Sequence, residues 1–368
     1  MRAALGEDHP QTLIARNNHA YWRGQAGDAA GAAEELSALV PDVTRVKGPS
    51  DRLVLTIRDN LARWQGEAGD VVGALAALTE LLADRCRVLG IEDPDTLNTF
   101  HTLASMTGET GDAAGAVAAY TGLLEVRRRV LGEHDPETLQ TRSNLAYWQG
   151  KGDAAGALAA YTALLEEQKV VLGAEHPSTL TAMNNRAGLL GECGDAAGAA
   201  RAFAELVPLM VRVHGDRHPT TLTARHNHAR YVGEAGDEAA ALKACTELLS
   251  IMVEAFGTNH HSTLNVRNSV AFWLMRTGEA RRAADAFPAL IADTEQVYGP
   301  AHPMTLTVLA NYAACRGLLG DMRGAISIKI ALLTCTEQAY GKDHARTRHA
   351  RAELLQWLKK AGHGGDST

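Results

Sequence analysis

Apolar side chains recur along this chain with the spacing of helices, and they do so in the same order about eight times. In one segment of each recurrence they fall at i, i+4, i+7 and i+11, as in Ile57, Leu61, Trp64 and Ala68 or Val308, Tyr312, Cys315 and Leu319. This spacing gathers them on one face of a helix, here called helix A, and predicts that the face is core. A column of small residues runs through it, from Ala20, Ala62 and Ala104 to Ala313. A second segment, helix B, repeats an alanine from Ala32, Ala74 and Ala116 to Ala325, with a leucine seven residues later, from Leu39 to Leu332. Small side chains let helix axes approach and leucines fill the space beside them, so the pattern predicts helix pairs packed on their neighbours by one rule.

Polar punctuation follows the same period of 42 residues, with one interval of 41 near Lys151. Glycine followed by an acid separates A from B at Gly27, Gly69, Gly111, Gly152, Gly194, Gly236, Gly278 and Gly320. The glycine closes one helix by turning left-handed, and the acid caps the next. Between repeats, a Gly-x-x-His-Pro-x-Thr-Leu segment ends helix B and places Pro10, Pro136 or Pro303 in the first turn of the next helix A. Its histidine column, His9, His176, His218 and His302, reads Asp93 and Asp135 elsewhere, an interchange that points to helix capping rather than metal ligation. The array is read as one solenoid over 1–361, closed by a capping helix of about Arg346 to Ala361 that keeps Trp357, with a polar tail at 362–368. The fold class is all-α.

The small alanine of helix A, the Gly-Asp turn and the small-then-large pattern of helix B resemble tetratricopeptide repeats. The 42-residue period and segments such as Arg16-Asn17-Asn18 and Arg142-Ser143-Asn144 are similar to the kinesin-light-chain type found in many actinobacterial repeat proteins. The resemblance covers essentially the whole chain. It implies a right-handed superhelical solenoid whose concave groove, lined by helices A, holds an extended peptide or a partner segment. It says little about which partner, because one fold serves many functions.

Composition narrows the partner further. Apolar residues are 46% and charged residues 21%, enough to fold and too apolar for disorder. A net charge of −7 gives no attraction to phosphate backbones or anionic membranes, so neither nucleic acid nor membrane is expected as a partner. No uncharged stretch approaches the ~18 residues needed to span a bilayer. The five cysteines are scattered and form no C-x-x-C pair, and the N-terminus lacks an apolar leader, so a reducing, cytoplasmic setting is expected. The 15 histidines outnumber the net negative charges, so the surface should lose its negative character below pH ~6. Gly150, Gly152 and Gly156 mimic a dinucleotide loop but fall on an ordinary A–B turn with no strand before it. No cofactor, metal or catalytic residue is expected.

Candidate binding residues lie on the helix-A face opposite the core, in three rows that begin at Ile14, Asn17 and Tyr21. They include Tyr21, Arg63, His101, Tyr147, His226 and Arg230. Polar and aromatic types dominate, with few of the lysines and glutamates that a merely solvated helix favours, which points to a binding groove. Beside the rows runs an asparagine column, Asn18, Asn60, Asn144, Asn185, Asn227 and Asn311. Asparagine is a mediocre helix former, so its return needs a cause. Either the amides clamp the backbone of a bound peptide, as the resemblance implies, or they bond the neighbouring repeat and fix the stacking; both stay open. Arg16, Arg58, Arg142, Arg225 and Arg267 either meet an acidic ligand or pack their stems on the next helix and pair their heads with acids or carbonyls in the loops. The register of Trp22, Trp64, Trp148, Trp273 and Trp357 interchanges with Met106 and Leu189, which favours packing between repeats. Helix-A glycines from Gly24 to Gly317 either clear the groove or admit a close neighbour. The function expected is a non-catalytic scaffold for a protein or peptide. The alternatives are a peptide or metabolite sensor, and an enzyme assembled from Tyr21, His101, Tyr147, His226 and Arg230.

Overall fold

Seventeen helices and no strand make up residues 6–363, the part of the chain that the computed structural model describes. They group into two compact units that meet at Asn185 and Arg186. In the first, A and B helices alternate as α1 (Pro10–Gln25), α2 (Ala29–Lys47), α3 (Arg52–Glu67), α4 (Val71–Val88), α5 (Pro94–Glu109), α6 (Ala113–Leu131), α7 (Pro136–Gly150) and α8 (Ala154–Val171). Helix α9 (Pro177–Glu192) begins in the first unit and ends in the second. The second continues with α10 (Ala196–His214), α11 (Pro219–Glu234), α12 (Glu238–Phe256), α13 (His261–Arg276), α14 (Ala280–Tyr298), α15 (Pro303–Leu318), α16 (Met322–Tyr340) and α17 (Ala345–His363).

The punctuation works as its chemistry predicts. Gly27 turns left-handed at φ +101°, and the Asp28 carboxylate then accepts from the Gly31 amide at 2.9 Å, capping α2. Repeat 4 departs from this. The missing residue shortens α7 to 15 residues and leaves Gly152 outside the left-handed region, yet Asp153 still caps α8 through the Gly156 amide at 2.9 Å. The junction histidines cap as aspartates do: His302 Nδ1 accepts from the Met304 amide at 3.2 Å, and Asp135 from Glu137 at 2.9 Å. His260, which precedes His261 instead of a proline, caps α13 in the same way.

The alanine and leucine columns of both units are buried. The predicted helix-A stripe is core only over its middle: Ile57, Trp64, Val308 and Cys315 are at most 1% exposed, whereas Ala68 and Leu319 are exposed. Both lie just past the ends of α3 and α15, where the chain turns toward solvent. The threonine of the junction segment, read only as punctuation, is also buried; Thr305 and Thr347 donate to the carbonyls of Gly299 and Gly341 at 2.8 Å and so fasten the end of one helix B to the next helix A.

The glycine and tryptophan columns turn out to be two halves of one contact. A Cβ at Gly24 would lie 2.5 Å from the Trp64 ring, one at Gly108 2.4 Å from Trp148, one at Gly233 2.4 Å from Trp273 and one at Gly317 2.3 Å from Trp357. Each glycine thus makes room for the large side chain of the following helix A, which settles the glycine question in favour of close packing. Between α13 and α15 the sizes are exchanged: Met275 stands at the glycine position, Cys315 at the tryptophan position, and both are buried in one cluster. Trp22, in the first described repeat, is 69% exposed.

Helix α17 runs to His363, so it includes the first two residues of the segment read as a polar tail. Residues 1–5 and 364–368 lie outside the described residues. Among the described residues no helix is long and apolar enough to cross a membrane.

Candidate functional site

Helix-A residues of the second row are half-buried or, at Asn17 and Ser143, buried, and the asparagine column of the next repeat reaches back to several of them. Asn60 donates to the Asn17 side-chain oxygen at 3.0 Å, and Asn311 to that of Asn268 at 3.0 Å. Asn144 lies 3.4 Å from His101 Nε2, and Ser269, which replaces asparagine, is 2.7 Å from His226 Nε2. A second link comes from helix B: Asn144 donates to the Tyr120 hydroxyl at 3.4 Å and Asn185 to the Tyr161 hydroxyl at 3.0 Å. The column therefore forms a ladder between successive repeats within each unit. Asn18 is exposed and accepts from Asn17 at 3.3 Å, while Asn227 is half-buried on α11. Part of the amides' capacity is already used within the chain, since Asn144 Nδ2 faces both His101 and Tyr120 and its Oδ1 accepts from Gln140 at 3.2 Å, while Asn185 Oδ1 accepts from Asn184 at 3.4 Å; one carbonyl lone pair on each remains as bonding capacity on the helix-A face.

Two rings of the ladder are electrically silent at neutral pH. Burial, reinforced by the charge of Arg127, lowers His101 to about 4, and burial with Arg230 lowers His226 to about 4. Burial also lowers His228. The loss of negative surface charge expected below pH ~6 therefore proceeds without His101 and His226, which take up protons only near pH 4.

The remaining candidates do not converge on one centre. Tyr21 meets Trp64 edge-on at 6.0 Å, and the Arg63 guanidinium lies over that same indole at 5.0 Å. Tyr147, 40% exposed, packs with Trp148 and carries Lys151 above its ring at 4.7 Å. Arg230 lies over Tyr231 at 4.6 Å and pairs with Glu234 at 2.8 Å. The set proposed for an enzyme is thus parcelled into separate contacts, each explained by packing or pairing. The arginine column is internal too. Arg16, Arg58 and Arg267 pair with Asp42, Asp84 and Asp293 on the following helix B, at 2.8, 2.7 and 2.7 Å, rather than with loop acids. Arg142 bridges Glu167 on α8 and Glu133 in the preceding loop, and Arg225 pairs with the loop acid Asp216.

Sequence reasoning missed a polar insertion beneath the ladder. The last position of the helix-B stripe reads Val43, Arg85, Arg127, Gln168, Met210 and Met252, so two guanidiniums enter the core of the first unit, 3% and 2% exposed. Arg85 donates to the Asp95 carbonyl at 2.6 Å and lies 3.6 Å from Asp59, whose carboxyl burial raises above its ordinary value. Arg127 donates to Thr141 at 2.8 Å and pairs with Glu137 at 2.8 Å; burial lowers its pKa from the ordinary arginine value. Thr99 and Thr141, which receive these arginines, stand where other repeats have Ile57, Ala182, Val266 or Val308. The signal was present in the sequence as a charge ending an otherwise apolar stripe, Ala74, Leu78, Leu81, Arg85.

Comparison with known proteins agrees with this architecture. Residues 54–95, 96–137, 179–220 and 263–303 match a tetratricopeptide-repeat family model. The chain is similar in structure to the apo quorum sensor NprR from B. thuringiensis, with a TM-score of 0.66 at 12% identity over 88% of this chain and 87% of that one. It is similar to a Rap protein complexed with Competence and Sporulation Factor, with a TM-score of 0.57 at 12% identity over 96% and 99%. A kinesin-light-chain repeat protein of Podosopora anserina matches at 20% identity over 55% of this chain and 96% of its own, with a TM-score of 0.48. No curated protein matches the sequence. At these identities the likeness to NprR and to the Rap protein speaks to the fold alone.

Proposed function

We propose that this chain, a tetratricopeptide-repeat protein, is a non-catalytic cytoplasmic scaffold that holds a protein or extended peptide segment along the helix-A faces of its repeats. The observation that carries the reading is the ladder itself. Within each unit it fixes side-chain amides, Asn60, Asn144 and Asn185 in the first and Asn311 in the second, whose remaining lone pairs are capacity beyond the bonds between repeats. Side chains fixed in advance lose little entropy on binding, which is what a backbone-reading surface requires. Tyr147 and Arg230, both exposed beside the ladder, supply the aromatic and cationic contacts that dominate interface energies. The structural likeness to a Rap protein determined with a bound factor, and to a quorum sensor, is consistent with a ligand on such a scaffold.

The test compares pull-downs by the intact chain, a Tyr147→Ser/Arg230→Ala double variant, and a Val170→Ser control at a position 86% exposed on helix B. A partner retained by the intact chain and the control but lost by the double variant supports the reading. A partner lost only by the control, or one indifferent to all three changes, places binding elsewhere and refutes it.

A further inference from the structure

We propose that a hollow at the end of the second unit, between α15, α16 and α17, binds a small apolar group that carries a carboxylate. This deepens the helix-A reading, on which it rests, by naming what one position along that face would take. The cavity measures about 530 Å³, within the range of small-ligand sites, ~300–1,000 Å³. Its apolar wall includes Leu306, Ala310, Leu332 and Ala350.

The hollow follows from a truncation in the repeat pattern. Ala310 occupies the second-row position filled by Asn17, Asp59, His101, His226 or Asn268 in other repeats, beside Ala350, which is smaller than the Val266 and Val308 of the two preceding helices A and the same as Ala182 and Ala224. Thr307 belongs to the first row, so the cavity opens on the same face as the ladder.

Its charge is as distinctive as its shape. At the asparagine position α17 carries Glu353, and at the tyrosine position α16 carries Lys329; the buried ammonium donates to that carboxylate at 2.9 Å, replacing the Tyr161–Asn185 type of link. Glu353 is thereby balanced. Arg346, on the same wall of the hollow, lies over the Tyr340 ring at 5.5 Å, and no carboxylate pairs with it among the described residues. Arg346 and Glu353 are the charged groups of the lining, with His349 beside them, and because Lys329 behind the wall answers Glu353, the group as a whole carries one positive charge in excess on a chain whose net charge is −7. An apolar wall beside one unanswered guanidinium fits an aliphatic or aromatic side chain next to a carboxylate, with the guanidinium able to hold both oxygens. Two sources have that chemistry, the C-terminal residue of a peptide and a free acylated amino acid.

Calorimetric titration of the full chain tests the assignment with N-acetyl-leucine, its neutral amide, and a heptapeptide ending in leucine with a free C-terminus. N-acetyl-leucine should bind, and the amide should bind about tenfold more weakly or worse. Arg346→Gln should abolish the preference for the acid. Ala310→Leu should fill the hollow and weaken binding while leaving the melting temperature in place, which separates blocking from unfolding. A heptapeptide that binds more tightly than N-acetyl-leucine identifies a chain end as the source; equal affinity identifies the free acid. The proposal is overturned if acid and amide bind alike, if neither binds, or if Ala310→Leu leaves affinity unchanged. A captured protein partner that ignores Ala310→Leu removes this site and leaves the scaffold; acid binding with no macromolecular partner does the reverse.

Discussion

Replacing Gly233 by alanine should destabilise the protein, although helix propensity alone says the opposite. In the middle of an exposed helix the change gains about 1 kcal/mol, because glycine loses more backbone freedom on folding. Here the new methyl would sit 2.4 Å from Trp273 Cη2, whereas carbon atoms in contact prefer ~3.5–4 Å. The indole cannot retreat freely: it is 4% exposed and packed with Ala229, Ala241 and Cys245. Moving it by an ångström or more is overpacking, worth ~1–3 kcal/mol, so the net result is a loss of up to ~2 kcal/mol. Gly122→Ala is the matched control, since its nearest neighbour beyond the helix, Phe100 Cζ, is 3.6 Å away, and it should stabilise by ~0.5–1 kcal/mol. Adding Trp273→Leu to Gly233→Ala should recover part of the loss, with a coupling of ~1 kcal/mol or more in the double-mutant cycle. Urea unfolding followed by circular dichroism and tryptophan fluorescence gives all four values. If Gly233→Ala raises the midpoint as Gly122→Ala does, or if the double variant is additive, the packing argument is wrong.

Three further outcomes follow from the polar ladder and the groups beneath it. Asn311→Ala should lower stability by ~1 kcal/mol through loss of its 3.0 Å bond to Asn268, measurable as a shift in melting temperature; an unchanged midpoint would assign the column to ligand binding alone. Arg127→Met, which copies Met210 and Met252 of the same column, should be neutral or stabilising by ~1–2 kcal/mol because Glu137 is 59% exposed and stays solvated, whereas Arg85→Met should cost ~1–3 kcal/mol by stranding Asp59. A loss of several kcal/mol in Arg127→Met would show that the buried guanidinium holds the stack together. Stability should fall as pH drops from 6.5 toward 4, because His101 and His226 are depressed to about 4 in the folded chain and the unfolded chain binds protons first. Each ring contributes at most about 1.4 kcal/mol per pH unit in that window, and a His101→Gln/His226→Gln variant with the same pH profile as the parent would rule the rings out.

The helices and their caps were legible in the sequence because local chemistry decides them. A glycine before an aspartate, or a histidine before a proline, acts within one turn of chain, as Asp28 and His302 show. Columns such as Ala20 and Leu39 were legible because repetition averages away context. What stayed hidden involved residues far apart in sequence. That Gly24 is met by Trp64, and that Asn60 reaches back to Asn17, needs the offset between adjacent helices A, which no single repeat encodes. The arginines at 85 and 127 were overlooked for a related reason: reading down repeated columns rewards agreement, and they are where the column disagrees. The first unit departs from the average in polarity and the second in size, at Ala310, and sequence periodicity is least informative at such departures.

The exchange of Met275 and Cys315 bears on how such a chain could have grown. A cassette copied elsewhere carries one half of a fit at each border, and most borders here tolerate this because the preceding repeat offers a glycine notch to a large side chain. The seventh cassette does not: inserted ahead of any partner bearing an indole, its thioether would collide with that ring. It keeps its fit only together with the eighth, so an insertion or deletion of whole cassettes at the seam between them should cost more stability than one elsewhere.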